Sequence, residues 1–341
     1  MHFAARAFQL AKDPDQPAEN QDHWAADPER GIAVIADGVS SALFSGPWAR
    51  ILVEAVRADP PNTERPEDFA VWLGARRETW DQSIDKTGLA WFQKAKLPLG
   101  AFSTLLWVEV QPRAKAEPGQ FGARQFDLRS IGDSCFFHVR HGEMLRSFPI
   151  EDAAALQTDP LALGSVDLKR DDLIRFDRAE GLCYEDDLLV LATDAVAEWV
   201  LREDRPVVMD CFHRWWDFDE PAWRDEIEHL RAEGRMRYDD ATLVLLRISA
   251  AAQAHPVCGE TQPRSARQPQ DSPDGPPSSA PGEPRLLDRL RAASEAVSAH
   301  GAPLIGRVRD WWSQHRKSPS GRSLAPSAPP DEPRGQGPPP R

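Results

Sequence analysis

The sequence predicts an α+β fold, and three observations predict it. Two short apolar runs, residues 32–36 and 187–193, have the length and composition of buried strands, and each leads to an acid, Asp37 and Asp194. Residues 102–148 carry strand-like stretches separated by turn pairs, Gly132-Asp133 and His141-Gly142, which mark an antiparallel meander. Segments with apolar residues three and four apart flank these strands, as helices require.

Taken in order, residues 4–10 read as a first strand. A loop rich in Asp, Pro and Gln leads to Asn20-Gln21-Asp22-His23-Trp24 and then to the 32–36 strand. From Pro47, the spacing of Trp48, Ile51, Leu52, Ala55 and Val56 predicts a helix that Pro60-Pro61 ends. A second helix is expected over 66–84, with Phe69, Trp72, Leu73, Trp80 and Ile84 on one face and Pro66 in the favoured first turn. Strands follow at 102–110, 125–131, 135–140 and 143–148. Residues 150–180 lack periodicity and read as loop. After the 187–193 strand a helix starts at Val196, followed by a Trp-rich stretch, with Trp215-Trp216 as a wall of the fold, and a helix over 222–234. Tyr238-Asp239-Asp240-Ala241-Thr242 leads into a closing strand at 243–248.

Beyond residue 249 the composition shifts. More than half of the 31 prolines lie there, mixed with Ser, Gly and Gln. Such a segment lacks the apolar surface to offset the entropy of folding, so a disordered Pro-rich C-terminal tail is expected. The expected organisation is a folded domain over 1–250, a linker over 251–284, an amphipathic helical segment over 285–318 and a tail over 319–341. Within the helical segment, residues 304–317 combine Trp311 and Trp312 with Arg307, Arg309, Arg316 and Lys317. That stretch suits a partner or an anionic membrane surface, or a helix packed back on the body.

The net charge of −13 is unevenly spread: about −16 over 1–250 and about +3 over 251–341. An acidic body argues against nucleic acid as partner, because phosphate backbones attract Lys and Arg. It suits metal cations. The four cysteines are scattered, with no CxxC pair, and form neither a zinc site nor a disulfide framework. With no apolar run long enough to span a bilayer and no secretion signal, a cytoplasmic protein is expected, and a monomer.

Five acids stand out by position. Asp37 and Asp194 end strands, Asp239 precedes one, Asp22 sits in a loop and Asp133 in a meander turn. Strand ends and turns of antiparallel sheets gather at a rim, where carboxylates repel unless cations hold them. Magnesium or manganese takes few carboxylates directly, so these acids suffice for two ions. Each acid also has an ordinary reading. Asp37-Gly38 and Gly132-Asp133 are common turn pairs, Thr193-Asp194 suits a helix N-cap, and Asp239-Asp240 a solvated loop. His23 lies near the first acid in sequence and is a candidate proton donor, although a lone histidine in such a place is more often incidental.

The order of the motifs resembles the metal-dependent serine/threonine protein phosphatases of the type 2C (PPM) class, bacterial members especially. The segments that carry the resemblance are Asn20-Gln21-Asp22, Asp37-Gly38, Ser103-Thr104-Leu105, Gly132-Asp133-Ser134, Thr193-Asp194-Ala195 and Asp239-Asp240-Ala241-Thr242, spread over 1–250. The resemblance implies a four-layer sandwich of two antiparallel β-sheets flanked by α-helices, with metals at one end. It implies Asp37, the Gly38 carbonyl, Asp194 and Asp239 as ligands of two Mn2+ or Mg2+ ions. Asp22 is implied in or near the metal shell and Asp133 at a weaker third metal. It further implies hydrolysis of phosphoserine and phosphothreonine in proteins, the products of a Ser/Thr kinase, by metal-activated water. A sensor or pseudophosphatase of the same fold, and a hydrolase of a small phosphorylated metabolite, are the alternatives. The chain departs from the pattern at Gln21, where Glu is usual, at Val39-Ser40-Ser41 and at Ala195. Pro17 and Ala18 stand where a phosphate-holding arginine is usual, with Lys12 or Arg6 as substitutes.

Overall fold

The computed structural model describes residues 2–113, 122–157, 160–167 and 174–250. The expectations for 251–284, 285–318 and 319–341, including the 304–317 surface, lie outside the described residues.

The chain forms β1 (Phe3–Leu10), β2 (His23–Asp27), β3 (Ile32–Ala36), α1 (Ser45–Ala58), α2 (Pro66–Ser83), α3 (Trp91–Lys96), β4 (Phe102–Ser103), β5 (Leu105–Pro112), β6 (Arg124–Ile131), β7 (Cys135–Arg140), β8 (Glu143–Phe148), β9 (Leu163–Gly164), β10 (Asp177–Cys183), β11 (Leu188–Ala192), α4 (Asp194–Arg202), α5 (Arg205–Asp217), α6 (Glu220–Ala232) and β12 (Ala241–Ile248). Two five-stranded antiparallel sheets result, in the orders β1-β12-β11-β7-β8 and β10-β6-β5-β3-β2, and β4 pairs with β9 in a small third.

Alternation along the strands builds the layers, because successive side chains point to opposite faces. Ala33 and Ile35, Leu106 and Val108, Leu189 and Leu191, and Val244 and Leu246 meet between the two sheets. Val34, Ala36 and Trp107 face outward and pack with Trp48, Leu52, Leu73 and Trp80 of α1 and α2. On the other side Val190, Leu243 and Leu245 pack with Trp199, Phe212, Trp215, Trp223 and Ile227 of α4, α5 and α6. The result is the expected four-layer helix–sheet–sheet–helix sandwich. β3 and β11 are buried on both faces, so they read in the sequence as continuous apolar runs.

Register places the functional end. Ala192 pairs with Leu243 and with Cys135, so the end of β11 lies beside the starts of β12 and β7. In the other sheet Ile35 pairs with Leu106, and Leu105 with Ile131, so β3 and β6 end where β5 begins. The segments after β3, β6 and β11 and before β12 therefore share one rim. They carry Asp37, Asp133, Asp194 and Asp239.

The opposite end of β11 is anchored by a second acid. Asp187 accepts hydrogen bonds from Arg140 Nε and Nη2, each at 2.8 Å, and its Oδ2 lies 2.8 Å from His138 Nε2. The Tyr184 N–H adds a fourth contact at 2.9 Å. Burial pushes its pKa up, but Arg140 and these bonds outweigh that and hold it at about 2.

β2 and α3 are elements the sequence reading does not anticipate, and two further stretches differ from expectation. Residues 150–180, read as loop, contain β9 and the start of β10, which pairs with β6 from Asp177 to Cys183. β10 is an edge strand whose residues are mostly exposed or half-buried, so backbone pairing holds it and no apolar alternation marks it. The Trp-rich stretch is helix α5, burying Val208, Met209, Cys211, Phe212 and Trp215.

Gly132 fixes the turn that carries Asp133. Its φ is +105°, and a Cβ there would lie 2.5 Å from Thr104 Cγ2. Gly132→Ala is expected to cost about 2–4 kcal/mol through backbone strain and steric overlap. A urea unfolding midpoint equal to that of the parent contradicts this account of the turn.

Candidate metal centre

At the shared rim, one carboxylate oxygen each from Asp37, Asp133 and Asp194 lie within 4.8 Å of one another. They line a cleft of about 350 Å³ together with Val39, Ser40, Thr104, Arg237 and Asp239. Asp37 and Asp194 are partly exposed and Asp133 is buried. Asp239 stands at the outer edge, with a side chain 38% exposed.

Each acid is placed by its element. Asp37 follows β3 directly, and its backbone N–H donates to Thr104 Oγ1 at 3.0 Å. Its carbonyl accepts from Thr104 N–H at 2.8 Å and Ser103 Oγ at 2.9 Å. The Thr104 hydroxyl also meets Ser134 Oγ at 2.9 Å. The Ser103-Thr104 segment therefore holds Asp37 beside the Gly132-Asp133-Ser134 turn. Gly38 lies against the Gln21 and Ser45 backbones, where a Cβ would come within 2.8 Å of Gln21 O and Ser45 C. Close packing alone thus requires glycine there. Asp194 opens α4, where the helix dipole favours a negative charge.

Thr193 is the N-cap residue of α4, but its hydroxyl makes no cap bond. It donates instead to Asp22 Oδ2 at 2.9 Å, and Thr242 Oγ1 donates to the same oxygen at 2.8 Å. Asp22 is 1% exposed, and its Oδ1 is buried with no hydrogen-bond partner among the described residues. Asp240 points away from this role: its two oxygens accept the backbone N–H groups of Lys12 and Gln21, each at 2.7 Å. It ties the loop after β1 to the start of β12.

The electrostatics follow from crowding. Burial, then Asp22, Asp133, Asp239 and Asp240, raise the pKa of Asp37 well above the carboxylate range. Burial and Asp240 push Asp22 up to about 7, against the opposing bonds from Thr242 and Thr193. Burial raises Asp133 to about 6, with its own backbone N–H and Arg237 pulling the other way. Like charges in a poorly solvated cleft account for the whole pattern.

The donor set suits a hard divalent cation. It offers only oxygen, from the carboxylates of Asp37, Asp133 and Asp194. Other candidates lie elsewhere. His23 opens β2, and burial followed by Arg50 lowers its pKa to about 4; it does not line the cleft. Neither Lys12 nor Arg6 lines it. Cys135, Cys183 and Cys211 are buried free thiols, and burial pushes the Cys135 and Cys183 thiols up, away from nucleophilic use.

The residue that sequence reasoning missed is Arg237. It sits in the loop between α6 and β12, and its Nη2 contacts Asp194 Oδ2 and lies 3.8 Å from Asp239 Oδ2. One arginine in a polar loop carries no periodic or motif signal. Its mark in the sequence is its position two residues before Asp239.

No family model and no curated protein sequence matches the chain. Among solved structures, the chain is similar to PppA, described as a key regulatory component of T6SS in Pseudomonas aeruginosa, at 17% identity and a TM-score of 0.45, over 73% of this chain and 98% of that one. It is also similar to the Mycobacterium tuberculosis serine/threonine phosphatase PstP/Ppp, at 17% identity and a TM-score of 0.44, over 73% and 100% of the two chains. A third is the catalytic domain of the serine/threonine protein phosphatase PstP in complex with two manganese ions, at 17% identity and a TM-score of 0.43, over 72% and 97%.

The raised carboxylates have a consequence for stability. Asp22 moves from 3.8 to about 7 on folding and Asp133 from 3.8 to about 6. The folded chain therefore holds protons that the unfolded chain has released. Their contribution is full below the unfolded value and is lost as pH rises through the folded values. In chelator, the thermal unfolding midpoint is expected to fall between about pH 5 and pH 8, and Mn2+ to restore it most at the higher pH. A chelated protein that is more stable at pH 8 than at pH 5 contradicts this electrostatic account.

Proposed function

We propose that residues 1–250 form a metal-dependent protein phosphatase of the type 2C (PPM) kind, which hydrolyses phosphoserine and phosphothreonine in proteins. The observation that carries the reading is the convergence of Asp37, Asp133 and Asp194, whose carboxylate oxygens lie within 4.8 Å of one another. These acids come from three separate stretches of the chain, and each belongs to one of the motif segments in the order that the family resemblance requires.

Two divalent ions of the manganese or magnesium kind, when bound, supply Lewis-acid charge and promote ionisation of water at neutral pH. Asp37, the Gly38 carbonyl, Asp194 and Asp239 are the residues assigned to hold them, with Asp133 toward a third, weaker position. Asp22 is assigned near the metal shell because it is close enough to Asp37 to raise its pKa and keeps a buried Oδ1 with no hydrogen-bond partner among the described residues. Thr104 and Ser134 fix Asp37 and the Asp133 turn relative to each other, so the acids need little rearrangement on loading. The cleft lies at the surface, with Val39 and Ser40 on its wall. That suits a phosphorylated side chain presented by a larger polypeptide. No helix among the described residues is long and apolar enough to cross a membrane. The reading takes a phosphoprotein made by a Ser/Thr kinase as partner, a cytoplasmic setting and a monomer. It treats 251–284 as a linker to the 285–318 segment and 319–341 as a tail.

The test is hydrolysis of p-nitrophenyl phosphate and of a phosphothreonine peptide with Mn2+, Mg2+ or chelator. Activity is expected with either metal and none with chelator. Asp37→Asn is expected to lower kcat/KM by more than about 100-fold. Absence of turnover on both substrates, or an Asp37→Asn variant as active as its parent, sinks the assignment. Preference for a small phosphorylated metabolite over the peptide moves it to the metabolite alternative.

A further inference from the structure

The cleft contains four carboxylates, from Asp37, Asp133, Asp194 and Asp239, and among the described residues that line it one cation, Arg237. The guanidinium lies where these charges need one. Nη2 contacts Asp194 and faces Asp239, while Nη1 is 3.5 Å from Glu198 Oε2. Its Nε is buried without a hydrogen-bond partner among the described residues, so the outer nitrogens carry its polar contacts.

The backbone that bears Arg237 is pinned on both sides. Met236 N–H donates to Leu230 O at 3.1 Å, Asp239 N–H to Arg237 O at 3.2 Å, and Arg231 Nη2 to Asp239 O. Asp240 N–H is held by Asp239 Oδ1 at 3.0 Å. The loop has little freedom to withdraw, so only the side chain can move. It has two places to go. Asp194 and Glu198 are four residues apart on α4 and share one helix face. Glu198 Oε1 accepts from Arg202 Nη1 at 2.8 Å, and its Oε2, 3.5 Å from Arg237 Nη1, is the oxygen that a guanidinium released by Asp194 can take up with no change in the backbone.

We propose that Arg237 is a tethered cation that competes with divalent metal for Asp194 and Asp239, and that Glu198 receives it when metal binds. The inference rests on the metal-centre reading above and goes beyond it by naming the residue that sets occupancy at one edge. One guanidinium nitrogen, Nη2, sits on Asp194 and faces Asp239, and such a charge-assisted contact is strong, so a metal ion gains Asp194 only by displacing it. The metal-free cleft is thereby stabilised, and affinity at that edge is lowered by the same interaction, as linkage requires.

The experiment is calorimetric titration of the full chain with Mn2+ alone, without substrate, for the parent and the Arg237→Gln, Arg237→Lys, Glu198→Gln and Arg235→Gln variants. Arg237→Gln is expected to bind the ion at this edge about tenfold tighter, and to lose thermal stability in chelator while gaining more from Mn2+ than the parent does. Arg237→Lys, which keeps the charge, returns affinity toward the parent. Glu198→Gln removes the resting place and weakens binding. Arg235→Gln, a surface arginine paired with Glu203 and Glu233, leaves it unchanged. Equal or weaker binding by Arg237→Gln, with a parent that does bind Mn2+, overturns the competition alone. A parent that takes up no Mn2+ overturns the metal-centre reading, and this inference with it.

Discussion

The repulsion among carboxylates gathered at one rim of the sandwich governs this end of the molecule. Burial alone disfavours a charged carboxylate, and each added neighbour increases the cost. The fold meets that cost differently for different acids. Asp240 is partly compensated: burial raises its pKa, two backbone N–H groups that bond its oxygens pull it back, and the acid becomes a joint between the loop after β1 and the start of β12. Asp22 is half satisfied, with two threonine hydroxyls on one oxygen and, among the described residues, no partner on the other. Asp37, Asp133, Asp194 and Asp239 are left facing a shared space. The gradient runs from an acid with both oxygens bonded by backbone to acids whose company in the cleft is one another and Arg237.

The two sheets make this crowding possible. Neither sheet alone brings the acids together, since Asp37 follows a strand of one sheet and Asp194 a strand of the other. The dry layer between them, with Phe3, Ile35, Leu106, Phe136, Leu191 and Val244, fixes their separation. Side chains of this kind each contribute about 1.5–3 kcal/mol on burial, so the apolar interior outweighs an electrostatically unfavourable rim. Asp187 at the far end of β11 shows the alternative. There an acid of similar burial meets Arg140 and His138 and becomes a clamp.

Much of this arrangement is legible in the chain. β3 and β11 stand out because both faces are buried, and their terminal acids stand out because a charge after five apolar residues needs a reason. The meander and α1 and α2 follow from period and turn residues. What stays hidden has a physical cause. β2 and β10 are edge strands, and β10 carries Arg178 and Glu180 where a central strand carries Val or Leu. The tightness of the Asp37–Asp133–Asp194 triplet depends on register within both sheets, between β7 and β11 and between β3, β5 and β6, and on how the sheets stack, which no local pattern encodes. Arg237 is more than forty residues from Asp194 in sequence and meets it only because α5 and α6 fold the chain back.

The departures from the phosphatase pattern acquire structural roles in the same frame. Gln21 accepts the Gly46 N–H at 3.0 Å and donates to the Glu19 carbonyl at 3.1 Å. A glutamate could make the first bond but not the second. Val39 donates to Phe102 O and accepts from Ser45 Oγ, so the segment after Asp37-Gly38 is anchored on both sides without a histidine. Ala195 is fully buried in the first turn of α4, where it has the higher helix propensity than the usual glycine. Gln21 in place of an acid and Arg237 in the cleft also change the charge in one direction: each makes the rim less negative than the bare motif acids imply. A less negative rim tolerates the metal-free state better and holds cations less tightly, since the interaction that stabilises one state is the interaction the other must break. On the competition proposed for Arg237, that trade-off is what distinguishes this rim from a plain ring of acids.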